Sequence, residues 1–213
     1  MTTELIIYLE PSYEVRQYIE SFLEECKERF GPTTANKYGC HITMVGFFDV
    51  DNEAQQEDLK NKLDSLLKKF KTTSLPIIEI KPFLVTDKET RESVHLLLPV
   101  TSPEPYHQLM RELAKYYPML RLKRINHISL AYWDEPEATR LEQEHWKKSR
   151  KEIFQQIQEY ATQYFKQLDS TNMNWDVVLY KRKVKGDHVG EKHVFEEIQR
   201  WHTQITKEDG SNH

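Results

Sequence analysis

Apolar residues recur along this chain with two periods, and the switches between them lay out the elements. Residues 4–9, ELIIYL, form an aliphatic run that predicts a first strand, and Pro11-Ser12 after it opens a helix. From there Val15, Tyr18, Ile19, Phe22, Leu23, Cys26 and Phe30 recur at three and four, building one apolar helix face that ends at Gly31-Pro32. A loop over 33–39 leads into the apolar run CHITMVGFF at 40–48, and a second helix carries Leu59, Leu63, Leu66, Leu67 and Phe70. Strands are predicted over about 76–86 and 93–100, on either side of the charged turn DKETRE. A third helix starts near Pro103 and aligns Tyr106, Leu109, Met110, Leu113 and Tyr117. Then come the run NHISLAYWD at 126–134, a long helix over about 137–168, and a closing hairpin in which NWDVVLYKRKV and HVFEEIQRWH flank KGDHVGEK.

The order is strand, helix, strand, helix, two strands, and then helix, strand, helix, two strands again. One unit is written twice, with no Gly/Ser linker between the halves. This predicts a single α+β domain of two lobes related by a pseudo-twofold axis, covering 1–204, with 205–213 as a flexible C-terminal tail.

The two runs at 40–48 and 126–134 carry more than packing. Each places a histidine two positions before a small hydroxyl residue: His41 and Thr43, His127 and Ser129. Strand side chains alternate faces, so each pair shares a face while Ile42, Met44 and Gly46, or Ile128, Leu130 and Tyr132, form an apolar back. Either histidine alone reads as a buried, hydrogen-bonded core residue. The duplication, with the same offset at matching positions of the repeat, points instead to four polar groups converging on one cleft. Such a cleft suits phosphodiester chemistry: imidazoles titrate near neutrality and can divide the roles of base and acid. Hydroxyls of Thr43 and Ser129 can donate to non-bridging phosphate oxygens, and no metal is required.

The tetrads His41-Ile42-Thr43-Met44 and His127-Ile128-Ser129-Leu130, 86 residues apart, resemble the defining mark of the 2H phosphoesterases, the LigT-like or cyclic phosphodiesterase-like proteins. LIIYLEP is similar to that family's first strand and VVLYKRKVKGDHVGEKHVFEEIQRW to its closing hairpin. Cys40 stands where proline is frequent. The resemblance implies antiparallel sheets facing a central cleft with helices outside. It also implies a metal-independent phosphodiesterase, with His41 and His127 as the acid/base pair and Thr43 and Ser129 as phosphate ligands. Implied substrates are nucleotides or RNA termini bearing a cyclic or 2′,5′-linked phosphate: 2′,3′-cyclic nucleotides, ADP-ribose 1″,2″-cyclic phosphate or RNA ends. A nucleotide- or RNA-binding module without turnover, and a 2′,5′-phosphodiesterase or RNA ligase activity, are the alternatives.

Other positions matter only beside that cleft. Phe47 and Trp133 continue the histidine-face alternation and are candidates to stack on a base, the other reading being packing. Tyr180 in the hairpin is a further candidate contact, and Tyr8 a weaker one. RLKR (Arg121, Lys123, Arg124) and KRKVK (Lys181, Arg182, Lys183, Lys185) read as guides for a polyanion or as solvated strand ends. His95 reads as a core or cleft-edge residue, and His107, His145, His188, His193 and His202 as solvated. No HxH, HExxH or CxxC spacing supports a metal site, and no cofactor is called for.

Composition sets the outer bounds. The 213 residues carry a formal charge of −4, which argues against a whole-surface grip on long nucleic acid and leaves room for a local basic patch. No apolar run approaches the roughly 20 residues that span a bilayer. The start MTTELIIYLEP lacks the features of a secretory signal, so the expectation is an intracellular monomer, in the cytoplasm or nucleus. Cys26 and Cys40 read as reduced and structural, since Cys40 and His41, being adjacent on a strand, point to opposite faces.

Overall fold

The computed structural model describes residues 2–89, 93–133, 140–169, 173–203 and 205, with 140–151 as backbone only. In chain order the elements are β1 (Thr3–Pro11), α1 (Tyr13–Phe30), a 3-10 turn (Thr34–Lys37), β2 (Ile42–Val50), α2 (Glu53–Lys68), β3 (Ile77–Ile78) and β4 (Phe83–Thr86). They continue with β5 (Ser93–Thr101), α3 (Glu104–Tyr116), β6 (His127–Tyr132), α4 (Arg140–Tyr164), a 3-10 turn (Phe165–Gln167), β7 (Trp175–Val184) and β8 (Val194–Thr203).

The helix ends follow local chemistry. The N–H of Gly31, at φ +88°, returns to the Lys27 carbonyl and closes α1 in a conformation that favours glycine. At the start of α2 the Asn52 side chain accepts from the Gln55 N–H at 3.0 Å. The single strand expected over 76–86 is instead broken into β3 and β4. Glu79 still donates to Pro99 at 2.8 Å, but Pro82 has no N–H to continue the ladder. Of the long helix, 137–139 lie outside the described residues, and its last turn tightens to a 3-10 form. Of the expected tail, Ile205 bridges Thr72 and 206–213 lie outside the described residues.

Two antiparallel sheets result. One has the order β2-β1-β7-β8; in the other β3, β4 and β6 all pair with β5. Each histidine strand pairs with the opening strand of its own half, β2 with β1 and β6 with β5. The strands that close each half cross over: β3 and β4 join the second sheet, and the β7–β8 hairpin joins the first. The exchange is reciprocal, as a pseudo-twofold relation requires.

Alternation then divides each sheet into an apolar back and a mixed front. Leu5, Ile7 and Leu9 of β1, with Val177 and Leu179 of β7, belong to the same core as Ile19, Phe22 and Leu23 of α1. Leu96, Leu98 and Val100 of β5 join Leu109 and Leu113 of α3 and Phe154 and Ile157 of α4. The helices thus cover the backs and leave the fronts to a cleft. No helix among the described residues is long and apolar enough to cross a membrane.

A buried polar chain ties the halves together. Trp175 at the head of β7 donates its indole N–H to the Pro76 carbonyl just before β3 at 2.9 Å, and its own carbonyl accepts from Thr203 at 2.6 Å. Tyr106 of α3 bonds the same threonine hydroxyl at 2.9 Å. Trp175→Phe removes one of these donors and leaves a small void where the side chain is fully buried. It is expected to lower the unfolding free energy by about 2 kcal/mol, read from urea denaturation.

Candidate functional site

The front of the first sheet carries Tyr8, Thr43 and Val178 in one paired row, with His41 one strand repeat beyond Thr43. On the second sheet, Ser129 pairs with Leu97 and His127 with Pro99. The two fronts enclose a cavity of about 310 Å³ that His41, Thr43, Gly46, Phe47, Ser129 and Tyr132 help to line. His127 stands half-buried beside Ser129's strand position, near enough for its charge to be felt at His41. The structure thus brings His41, Thr43 and Ser129 to one cavity, while His127 is not among its lining residues.

Each histidine is oriented through Nδ1. The Gly39 carbonyl, 3.1 Å from His41 Nδ1, can only accept, so that nitrogen carries the proton and Nε2 of the neutral ring is left with its lone pair. Tyr8 stacks on the same ring, with centroids 3.9 Å apart. Burial pushes the His41 pKa down to about 4; the Gly39 carbonyl opposes the shift and His127 adds to it. His127 Nδ1 lies 2.9 Å from Asn126 Oδ1. Its pKa is also lowered, by burial first and by His95 second.

Bulges decide which aromatic residues reach the cleft. Between β5 and β6 the register shifts once, between Leu96 and Leu97, so β6 holds one extra residue and its alternation flips. Trp133, expected on the histidine face, is therefore turned into the core at 7% exposure, and Tyr132 lines the cleft in its place. Between β1 and β2 the register shifts twice, so the phase is restored and Phe47 lines the cleft as expected. The second shift also brings Gly46, expected on the apolar back, to the cavity wall.

The remaining candidates divide. Tyr180 lies on the front of the first sheet, but its hydroxyl donates to Glu10 at 3.0 Å and accepts from Arg200 at 3.0 Å. Arg200 also pairs with Asp176 and Glu197, and Arg16 with Glu10, so this is an ion-pair network beside the cleft. Tyr8 lines the cavity. Of the two basic runs, Arg121 and Lys123 line the cavity as well, whereas Arg182 pairs with Glu4 and covers the Phe47 ring at 4.1 Å.

His193, expected to be solvated, is buried; its Nδ1 accepts from the Gly186 N–H at 2.9 Å. His202 is exposed and bonds Asp176, while His145 lies among residues described as backbone only. Cys26 and Cys40 are buried, and burial raises both thiols, Cys26 to about 12. Among the described residues no group of three or more His, Cys, Asp or Glu side chains could hold a metal ion.

A model of the 2′-5′ RNA ligase superfamily matches residues 15–164, more than half of the chain. The chain belongs to that superfamily. The matched residues include both tetrads. Crystal structures of Escherichia coli LigT in apo form and in complex with 3′-AMP are similar at 13% and 12% identity. Each comparison covers 97% of this chain, with 99% and 100% of LigT and a TM-score of 0.49. A structure described only as a phosphoesterase matches at 13% identity over 97% of this chain and 100% of its own, with the same TM-score of 0.49. No curated protein sequence matches significantly.

The bulge in β6 makes opposite demands of two neighbouring aromatic residues in this superfamily member. Trp133→Ala should cost about 3 kcal/mol or more of stability, while Tyr132→Ala, on the cleft side, should cost much less. Thermal melts of the two variants check the assignment, and equal losses would contradict it.

Proposed function

We propose that this superfamily member is a phosphodiesterase of the 2H type that opens cyclic phosphates on nucleotides or RNA termini, with His41 as base and His127 as acid. One observation carries the reading: His41, Thr43 and Ser129, supplied by different sheets, line one cavity whose lining includes cations and no carboxylate, with His127 within electrostatic reach of His41.

The roles follow from the imidazoles' settings. His41, neutral above about pH 4 with Nε2 unprotonated, takes a proton from water as the water oxygen bonds to phosphorus. His127, the less enclosed ring, gives its proton to the ribose oxygen as the P–O bond breaks, and a phosphomonoester remains. Thr43 and Ser129 donate to the non-bridging oxygens, where negative charge grows as water adds. The substrate's own phosphate favours the protonated form of His127 once bound.

A nucleotide-binding module without turnover is the second reading. The lowered pKa of His127 favours it, because an acid that is neutral at pH 7 cannot donate. Purified protein incubated with 2′,3′-cyclic nucleotides in the presence of EDTA decides between the two. The phosphodiesterase reading expects turnover that falls by two to four orders of magnitude in His41→Ala and in His127→Ala. Turnover that survives both substitutions refutes the assignment, and affinity with no turnover on any cyclic or 2′,5′-linked substrate favours the module. Ligated products from cleaved RNA would mark the reverse reaction.

The pH profile has a definite sign. Activity needs His41 neutral, so kcat/KM falls as pH drops through about 4; it needs His127 charged, so kcat/KM falls again as pH rises through a value below the ordinary 6.5. The optimum in kcat/KM is therefore expected on the acid side of neutrality. The alkaline limb of kcat should lie higher, because bound phosphate holds the proton on His127.

A further inference from the structure

Among the cleft-lining residues Arg121 and Lys123 carry fixed positive charge, and the two-histidine reaction gives neither a task. We propose that they form a subsite for a second phosphate of the substrate, one nucleotide away from the reacting phosphate. The inference rests on the phosphodiesterase reading and specifies which substrates that site takes.

Four observations carry it. The segment ahead of β6 crosses to the first sheet and pairs with the free edge of β2: Gly46 donates to the Arg121 carbonyl at 3.0 Å and Lys123 to the Met44 carbonyl at 2.9 Å. The intervening Leu122 thus puts Arg121 and Lys123 on one side, and both line the cavity. Both are exposed and have no ion-pair partner among the described residues, in contrast to Arg16, Arg182, Lys183 and Arg200. No Asp or Glu lines the cavity, so nothing there answers their charge. Finally, Gly46 makes room for Lys123: a Cβ at that position would come within 2.9 Å of the lysine Cε.

Position separates this pair from the reacting phosphate. Gly46 lies three residues along β2 from Thr43, about 10 Å on a regular strand and less across the bulge. That span suits the next phosphate along a nucleotide chain. Two cations in a cavity without carboxylates attract a second anion and add little to a lone cyclic phosphate already held by two hydroxyls and two imidazoles. The second phosphate has two sources, the flanking diester of an oligonucleotide end or the pyrophosphate of an ADP-ribose derivative.

The test compares kcat/KM for a dinucleotide ending in a 2′,3′-cyclic phosphate, for ADP-ribose 1″,2″-cyclic phosphate and for a cyclic mononucleotide. The wild-type protein should favour at least one of the substrates that carry further phosphate over the mononucleotide by about tenfold or more, and which one it favours identifies the source. In Arg121→Ala/Lys123→Ala that ratio should approach one. The slope of log kcat/KM against log salt for the favoured substrate should become shallower by about one for each cation removed. Gly46→Ala, which pushes the lysine aside, should reproduce the Lys123 part; Lys68→Ala, paired with Asp64 on α2, should leave the ratio as it is.

Calorimetry with a 3′-phosphorylated dinucleotide, ADP-ribose 2″-phosphate and a 3′-mononucleotide asks the same question without turnover. Wild-type protein that handles the mononucleotide and the compounds with further phosphate alike, or a preference unchanged in the double variant, overturns the subsite. Preference in calorimetry that the double variant loses, with no substrate turned over, keeps the subsite and overturns the phosphodiesterase reading instead.

Discussion

Side chains on a strand point alternately to its two faces, and everything at the cleft depends on how that alternation is counted along β2 and β6. Thr43 and Ser129 precede every bulge, so each stays in phase with its histidine whatever follows. Past them the two strands diverge, because an inserted residue flips the phase and a second insertion restores it. One insertion in β6 exchanges Trp133 for Tyr132; two in β2 keep Phe47 in place and add Gly46 to the wall. The polar pairs match across the pseudo-twofold axis and the aromatic rims do not, so the cleft has two unlike ends.

Electrostatics follow from the same arrangement. The ring of His41 is sandwiched between Tyr8 and the cavity, fixed by one backbone carbonyl, and held neutral by the cost of burying its charge. His127 leans on a side-chain amide and sits nearer solvent. Two rings of the same kind are thereby set apart, which is the condition for giving them different jobs. The carboxylates of the first sheet's front, Glu10 and Asp176, are engaged by Arg16 and Arg200, which keeps their charge from reaching toward an incoming anion.

Much of this was legible in the residues. Periodicity located the helices because each buries one continuous stripe, and the paired tetrads pointed to the wall that His41, Thr43 and Ser129 line, because a spacing of two keeps each pair on one face. The β3–β4 break could have been read from Pro82, which withholds a donor in mid-run. Trp133 could not have been placed, since a bulge is a property of pairing with β5 and leaves no mark in β6 alone. The task of Tyr180 depends on Arg200 and Glu10, remote in sequence and adjacent only across the sheet. His193 looked solvated among charged neighbours, yet the hairpin turn folds it inward against Gly186. Arg121 and Lys123 were visible as a basic run, but their approach to the cleft needed the backbone pairing with β2.

The reciprocal crossing of strands between the halves reaches beyond the site. A fragment ending after α2 would present β1 with one long flank unprotected, and a fragment beginning at β5 would carry β7 and β8 with no strand to receive them. Bare flanks of that kind recruit whatever chain is nearest, so such pieces would sooner clump or trade strands with one another than stand alone. The two halves form an interlocked body that cannot be taken apart by cutting it in the middle.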